Sequence, residues 1–276
     1  MTRSDVVLAV EHVSVSLGGR RILEDVNFTL REGEFCGLIG GNGSGKTTLF
    51  RAVLGMLRAD SGSVRIGSGT GAAAREPVGY VPQKISLDPE LPLRGRDVVA
   101  LGFDGSRFGL PLASRKRDAL VDEMLAAVGA AEFAERRVGR LSGGQQQRIL
   151  IAHALIRQPR LLLLDEPLAS LDVRSVAEIV GLLSRLATQR RTAVLLSAHD
   201  MNPLLPVTDR IVYLANGHAA SGRTDEVVRT EVLSRLYGYH IDVVRIHGRV
   251  VVIAAEAPEE GHAALARDPV HITQIP

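Results

Sequence analysis

The chain has 276 residues, with 33 Lys plus Arg against 31 Asp plus Glu and a formal net charge of +2. That length holds one large domain with a subdomain, or two small domains. Bases interspersed with acids provide no clustered basic surface, which argues against a nucleic-acid partner. The single cysteine, Cys36, excludes a disulfide framework.

No apolar run approaches the ~18 residues of a membrane span. Met1-Thr2-Arg3-Ser4-Asp5 does not lead into a signal-peptide core. A soluble, cytoplasmic chain is expected, with any membrane crossing left to other subunits. Plentiful aliphatic residues and only 4% aromatics suit an α/β core.

Residues 6–34 carry strand patterns. Leu8 and Val10 alternate, then Val13, Val15 and Leu17, and after the hairpin signal Gly18-Gly19 come Val26, Phe28 and Leu30. An antiparallel sheet edge is predicted. Phe35-Cys36-Gly37-Leu38-Ile39 then reads as a short buried strand. It runs into Gly40-Gly41-Asn42-Gly43-Ser44-Gly45-Lys46-Thr47-Thr48, which fits Gly, four residues, Gly-Lys-Thr. Leu49, Ala52, Val53, Met56 and Leu57 follow at helical spacing.

A strand, a glycine loop and a helix start form the setting of a phosphate-binding loop. Successive backbone N–H groups converge there, and the helix N-terminus adds partial positive charge. Lys46 can reach the β- and γ-phosphates of a bound nucleotide, and the Thr47 hydroxyl can ligate Mg²⁺. Only three lysines exist in the chain, Lys46, Lys84 and Lys116, so one at this place is chemically pointed.

Asp60-Ser61-Gly62 reads as a turn, 63–66 as a short strand, 67–74 as a loop of small residues, and 78–81 as a strand ended by Pro82-Gln83. From 84 to 159 the pattern turns mainly helical. A short helix is expected at 96–101 and a clearer one at 114–128, with Leu120, Met124, Leu125 and Val128 on one face and Phe108-Gly109-Leu110-Pro111 between the two. This is a helical insert between strands of one sheet.

Leu141-Ser142-Gly143-Gly144-Gln145 then opens a helix through about Ile156, with Ser142 as its cap. It is a second potential anion site, but it has no lysine of its own. Such a surface is best used on a nucleotide held by another copy, which predicts a two-fold dimer with ATP sandwiched between loop and cap.

Leu161-Leu162-Leu163-Leu164 is continuously apolar, as for a strand buried on both faces of a parallel sheet. It ends in Asp165-Glu166, where parallel α/β sheets place ligands. Asp165 is suited to hold Mg²⁺ and Glu166 to polarise the attacking water; the alternative is that one of them caps the next helix.

Ala169-Ser170-Leu171-Asp172 precedes a helix from 173 to about 188. The strand 192–197 ends at Ala198-His199-Asp200. Level with Asp165 and Gln83, His199 can reach the γ-phosphate. A hairpin around Asn216-Gly217, a helix at 230–237 and a late hairpin (241–246 and 250–254) complete the pattern, with a loose tail at 256–276. The late histidines His218, His240, His247, His262 and His271 match no metal-site spacing and read as solvated.

In this order and spacing the segments resemble the ATP-binding-cassette (ABC) ATPases over roughly residues 6–230. The resemblance implies an α/β P-loop NTPase core with a mainly parallel sheet, an antiparallel β subdomain and a helical subdomain at about 84–159. A helix-and-hairpin extension (231–255) and the tail follow. It implies two cassettes closing head to tail on two ATP molecules, with Ser142, Gly143, Gly144 and Gln145 facing the nucleotide of the other copy.

Gln83 is similar to the glutamine whose loop senses Mg²⁺ and the transporter, which makes Thr47, Gln83 and Asp165 the implied Mg²⁺ ligands. His199 is similar to the switch histidine and Glu166 to the catalytic carboxylate. Lys46, His199 and the partner subunit's Ser142 would stabilise the charge of the transferred phosphoryl group. One position departs from the family: Leu17 stands where an adenine-stacking aromatic is usual.

Within the family, Val81-Pro82-Gln83-Lys84 with Leu91-Pro92-Leu93 is similar to importers of zinc and manganese. So is His199-Asp200-Met201-Asn202-Pro203-Leu204-Leu205-Pro206 with Leu233-Ser234-Arg235-Leu236-Tyr237-Gly238. Iron-chelate importers share some of this. The implied setting is the cytoplasmic face of a membrane, with integral-membrane permease subunits docked on 83–102 and a solute-binding protein in the same system. An exporter cassette is a further alternative, and only the segments 199–206 and 233–238 argue against it. A non-transport soluble cassette is the alternative of another class. The DNA-repair type needs a long coiled coil and the translation type two phosphate loops; the chain has no heptad run and one loop.

Overall fold

A computed structural model describes residues 6–67, 77–83, 92–104 and 115–254. Strands β1 (Val6–Leu17) and β2 (Arg20–Arg31) form the antiparallel hairpin turned by Gly18-Gly19. The register slips between Val10 and Val13, where His12 takes φ 53°, and both valines are thereby buried. β3 (Phe35–Ile39) is buried along its whole length and leads into α1 (Lys46–Val53).

The helix is shorter than its periodicity suggests. Gly55 has φ 72°, its N–H bonds Ala52 O and the Met56 N–H bonds Arg51 O, a paired closure that stops the helix. Met56 is accordingly 70% exposed.

β4 (Ser61–Ile66) pairs with the other edge of β1, giving the order β2-β1-β4. Residues 61 and 62 are therefore strand, not turn. Gly62 takes φ 82° and presses against the carbonyls of Glu11 and His12, where any Cβ would collide. A composition that reads as a turn is here the glycine of an irregular strand pairing.

β5 (Val78–Val81) is followed by α2 (Gly95–Asp104), α3 (Arg115–Ala127), single 3₁₀ turns at Ala131–Phe133 and Val138–Arg140, and α4 (Gly143–Leu155). Then come β6 (Leu161–Leu164), α5 (Val173–Arg190), β7 (Ala193–Ala198), β8 (Arg210–Ala215) and β9 (His218–Gly222). The chain closes with α6 (Thr224–Val227), α7 (Thr230–Tyr237) and the hairpin β10 (Ile241–Ile246) and β11 (Arg249–Ala254). Most of the loop 67–74, the separator 108–111 and the tail 256–276 lie outside the described residues.

The principal sheet has six strands in the order β5-β6-β7-β3-β8-β9, parallel except for β9. Two cores flank it. Leu161, Leu163, Cys36 and Leu38 belong to the core shared with the three-stranded sheet and α1. Leu162, Leu164, Ile39 and Tyr213 belong to the core shared with α2 to α5. Burial in the first core pushes the Cys36 thiol pKa upward, so it is an inert hydrophobe. Strands β3, β6 and β7 are adjacent, and their carboxyl ends bring three loops to one place.

Burial of β6 on both faces has a measurable consequence. Leu162→Ala and Leu163→Ala should each destabilise the chain by about 2–5 kcal/mol in denaturant unfolding, against less than about 0.5 kcal/mol for Val251→Ala on the exposed hairpin face. A large loss at one leucine and a negligible loss at its neighbour would contradict two-sided burial.

Candidate functional site

The glycine loop leaves β3 against the end of β8. A Cβ on Gly40 would strike the Leu214 carbonyl and lie 2.6 Å from Ser44 Oγ. Lys46 folds back over the loop, and its Nζ donates to Gly40 O at 2.8 Å and Gly41 O at 3.0 Å. Ser44 Oγ is buried and, among the described residues, has no hydrogen-bond partner. A buried hydroxyl without a partner is costly unless a ligand supplies one. Unsatisfied N–H groups at the start of α1, a cationic Lys46 and a free hydroxyl suit an anionic group such as a phosphate.

Glu166 occupies the centre of the site. It follows β6, takes φ 49° and keeps only 10% of its side chain exposed. Its Oε2 accepts from Gln83 Nε2 at 2.6 Å. Its Oε1 lies 2.7 Å from His199 Nε2 and 3.4 Å from Lys46 Nζ. Burial lowers the Lys46 pKa, and the carboxylates of Glu166 and Asp165 oppose that shift. The pair is thus mutually compensating: neither charge sits unpaired in a dry site.

Asp165 is 1% exposed, and its Oδ2 accepts from Thr47 Oγ1 at 3.2 Å. Hydroxyl and carboxylate oxygens side by side are the hard donor set that Mg²⁺ takes. The loop residues Gly40 to Thr48, Gln83, Asp165, Glu166 and His199 therefore converge. Neither acid caps a helix; that role falls to Asp172, whose Oδ1 and Oδ2 accept from Ser175 N and Oγ and whose pKa those bonds lower.

Ser142, Gly143, Gly144 and Gln145 do not join this cluster. Ser142 caps α4 in a reciprocal box: Gln145 N donates to Ser142 Oγ at 3.4 Å, and Ser142 N donates to Gln145 Oε1 at 3.1 Å. The cap borders the start of α5, near Asp172 and Ser175. Among the described residues no hydrogen bond or ion pair connects it to the glycine loop. Leu17, at the end of β1, is 40% exposed and available to pack on a planar group.

Sequence reasoning missed two residues. Ser197, fully buried in β7, accepts from Glu166 N and donates to Asp165 Oδ1, both at 2.8 Å, and so orients both acids. Its one signal is a hydroxyl near the end of an apolar strand. Arg148 joins α4 to the end of α3 through Val128 O at 2.7 Å and to α5 through Glu178 at 3.0 Å. Nothing in the spacing pointed to it.

Known proteins resemble this chain. The ABC transporter family profile matches residues 23–169. The zinc import ATP-binding protein ZnuC of Pseudomonas syringae pv. syringae is 36% identical over 266 residues, spanning 91% of this chain and 94% of the relative. ZnuC of Alcanivorax borkumensis is 37% identical over 232 residues, spanning 84% of each.

Among solved structures, cbiO1 of Clostridium perfringens, part of the ABC transporter complex cbiONQ, has 28% identity and a TM-score of 0.69 over 84% of this chain and 94% of its own. A dimeric ATP-binding cassette in a post-hydrolysis state with ADP and Pi has 27% identity and a TM-score of 0.64 over 78% of this chain and 98% of its own.

The close approach at Gly40 is testable. Gly40→Ala should weaken ATP binding about tenfold or more in calorimetric titration, with the far-UV spectrum unchanged, because the loop has no space for the methyl group. Native affinity in this variant would place the phosphates elsewhere.

Proposed function

The chain belongs to the ABC transporter family and is an ATP-hydrolysing cassette, and we propose that it is the ATPase subunit of a zinc importer. The observation that carries the mechanistic part is the single carboxylate of Glu166 clasped by Gln83, His199 and Lys46 beside the Thr47–Asp165 pair.

Backbone N–H groups of Gly41, Asn42, Gly43, Ser44, Gly45 and Thr48 would cradle the phosphates, with the Ser44 hydroxyl gaining the partner it lacks. Lys46 would exchange Glu166 for the γ-phosphate as its counter-charge. Thr47, Asp165 and the amide oxygen of Gln83 would hold Mg²⁺, which when bound neutralises charge on the β- and γ-phosphates. Released from Lys46, Glu166 would orient the attacking water and take its proton, while His199 would donate a hydrogen bond to the γ-phosphate. Catalysis would rest on positioning and charge neutralisation, not on a covalent step of the protein.

Ser142, Gly143, Gly144 and Gln145 would act on the nucleotide of a second copy, since they stand apart from this chain's own loop. The zinc assignment rests on the named zinc-import relatives, 36–37% identical over most of the chain. No helix among the described residues is long and apolar enough to cross a membrane, so permease subunits would span it and hold the cassette at its cytoplasmic face. The segment 83–102 would dock against a cytoplasmic segment of the permease. A solute-binding protein would deliver zinc outside.

Glu166→Gln should keep ATP binding, lose nearly all hydrolysis, about 10²-fold or more, and accumulate as an ATP-bound dimer on size exclusion. Cells carrying this variant should lose zinc in elemental analysis, with manganese and iron unchanged. Retained turnover would remove the role given to Glu166. A fall in another metal alone would reassign the cargo, and a rise in zinc would mean export.

A further inference from the structure

Three residues past His199, the chain grips its own C-terminal extension. The Asn202 side chain pairs with the backbone of Val250 in β11: Val250 N donates to Asn202 Oδ1 at 2.7 Å, and Asn202 Nδ2 donates to Val250 O at 3.0 Å. The same Nδ2 lies 2.8 Å from Asp200 Oδ1, which also accepts from Asn202 N at 2.9 Å. Val250 faces Arg245 across the hairpin, and its outward N–H and C=O are taken by one amide, which acts as a one-residue third strand on a free edge.

The far side of the hairpin is fixed just as firmly. Thr230 Oγ1 accepts from Val243 N at 3.0 Å, and Ser234 Oγ both accepts from Ile241 N and donates to Ile241 O. α7 is in turn held to the β8–β9 turn, where Asn216 Nδ2 donates to Tyr237 O at 2.9 Å. Ile241 and Val250 are buried in the same core as Met201, Leu204 and Leu233. The extension is thus a brace between the body of the sheet and the loop that carries His199.

We infer that the C-terminal hairpin positions the switch histidine, with Asn202 as the positioning residue that ties residues 200–202 to β11 and keeps His199 on Glu166. The hairpin is then part of the hydrolytic machinery, although no hydrogen bond or ion pair among the described residues links it to the glycine loop. Anything that strains β11 would be felt at His199 through two hydrogen bonds. This rests on the role given to His199 above.

The test uses the full-length chain, with ATPase kinetics and amide hydrogen exchange. Asn202→Ala and Asn202→Asp should each lower kcat by about tenfold, with KM for ATP within about twofold, because the loop and not the nucleotide site is loosened. Asp fills the same space but loses both donated bonds and sets a carboxylate against Asp200, so a packing role alone would leave it near native. In a His199→Ala background, Asn202→Ala should cost nothing further. Exchange in residues 199–206 should rise in Asn202→Ala without nucleotide. Val250→Pro, which removes the other half of the clamp at an edge position, should reproduce both effects and serves where Asn202 variants fold poorly.

The inference is overturned if exchange of the loop is unchanged, if Asn202→Asp behaves as native, or if Asn202→Ala costs the same factor with His199 absent. Should His199→Ala itself retain native kcat, the reading of His199 fails on its own, and the exchange result still decides whether the hairpin holds the loop.

Discussion

The buried pairing of Lys46 with Glu166 is the constraint on which the rest of this structure depends. Their side chains are 6% and 10% exposed, so each charge needs the other or a replacement. Meeting that need requires the loop after β3 and the turn after β6 to open at the same end of one sheet. With β7 between β6 and β3, His199 arrives at that end too, and Ser197 bonds both neighbouring acids from below. A six-stranded, mainly parallel sheet with two apolar faces is what makes this juxtaposition rigid. In the proposed mechanism the catalytic and resting arrangements use the same atoms: a phosphate entering the loop would compete with Glu166 for Lys46 and free the carboxylate for a water.

The second constraint is incompleteness. The capped start of α4 offers a polar N-terminus that, among the described residues, has no hydrogen bond or ion pair to the glycine loop of its own chain. If the cap acts on the nucleotide of another copy, as proposed, hydrolysis would be conditional on two copies meeting. The Glu166 contact with Gln83 places the end of β5, and the helices that follow it, one hydrogen bond from the reacting centre.

Legibility in the sequence followed chemistry. The convergence of Lys46, Thr47, Asp165 and Glu166, and the Ser142 cap, were readable because the glycine-loop pattern, the strand end and helix capping fix residue type and spacing locally. Leu161 to Leu164 betrayed a two-sided strand because burial on both faces removes all alternation. Ser197 and Asn202 were opaque for the opposite reason: each acts on a residue 31 or 48 positions away, and only the sheet order brings those residues near. Local rules also misled. Apolar spacing ran on to Leu57 although the Gly55 closure had already ended α1, and Asp60-Ser61-Gly62 carried a turn composition that edge pairing with β1 overrode. The hairpins expected at Gly18-Gly19 and at 241–254 are present, but the hydrogen bonds that tie the last one to Asn202 lay wholly in tertiary structure.

A working site should take its loop from one copy and its cap from another. Mixing a Lys46→Ala chain with a Ser142→Arg chain tests it most directly, because a mixed dimer contains one intact composite site and one doubly damaged site. Each variant alone should be inactive, and ATP turnover should appear on mixing, peak near equal proportions and track the fraction of mixed dimers. Silence at every ratio, with the Ser142→Arg chain still binding ATP, would contradict a site shared between copies.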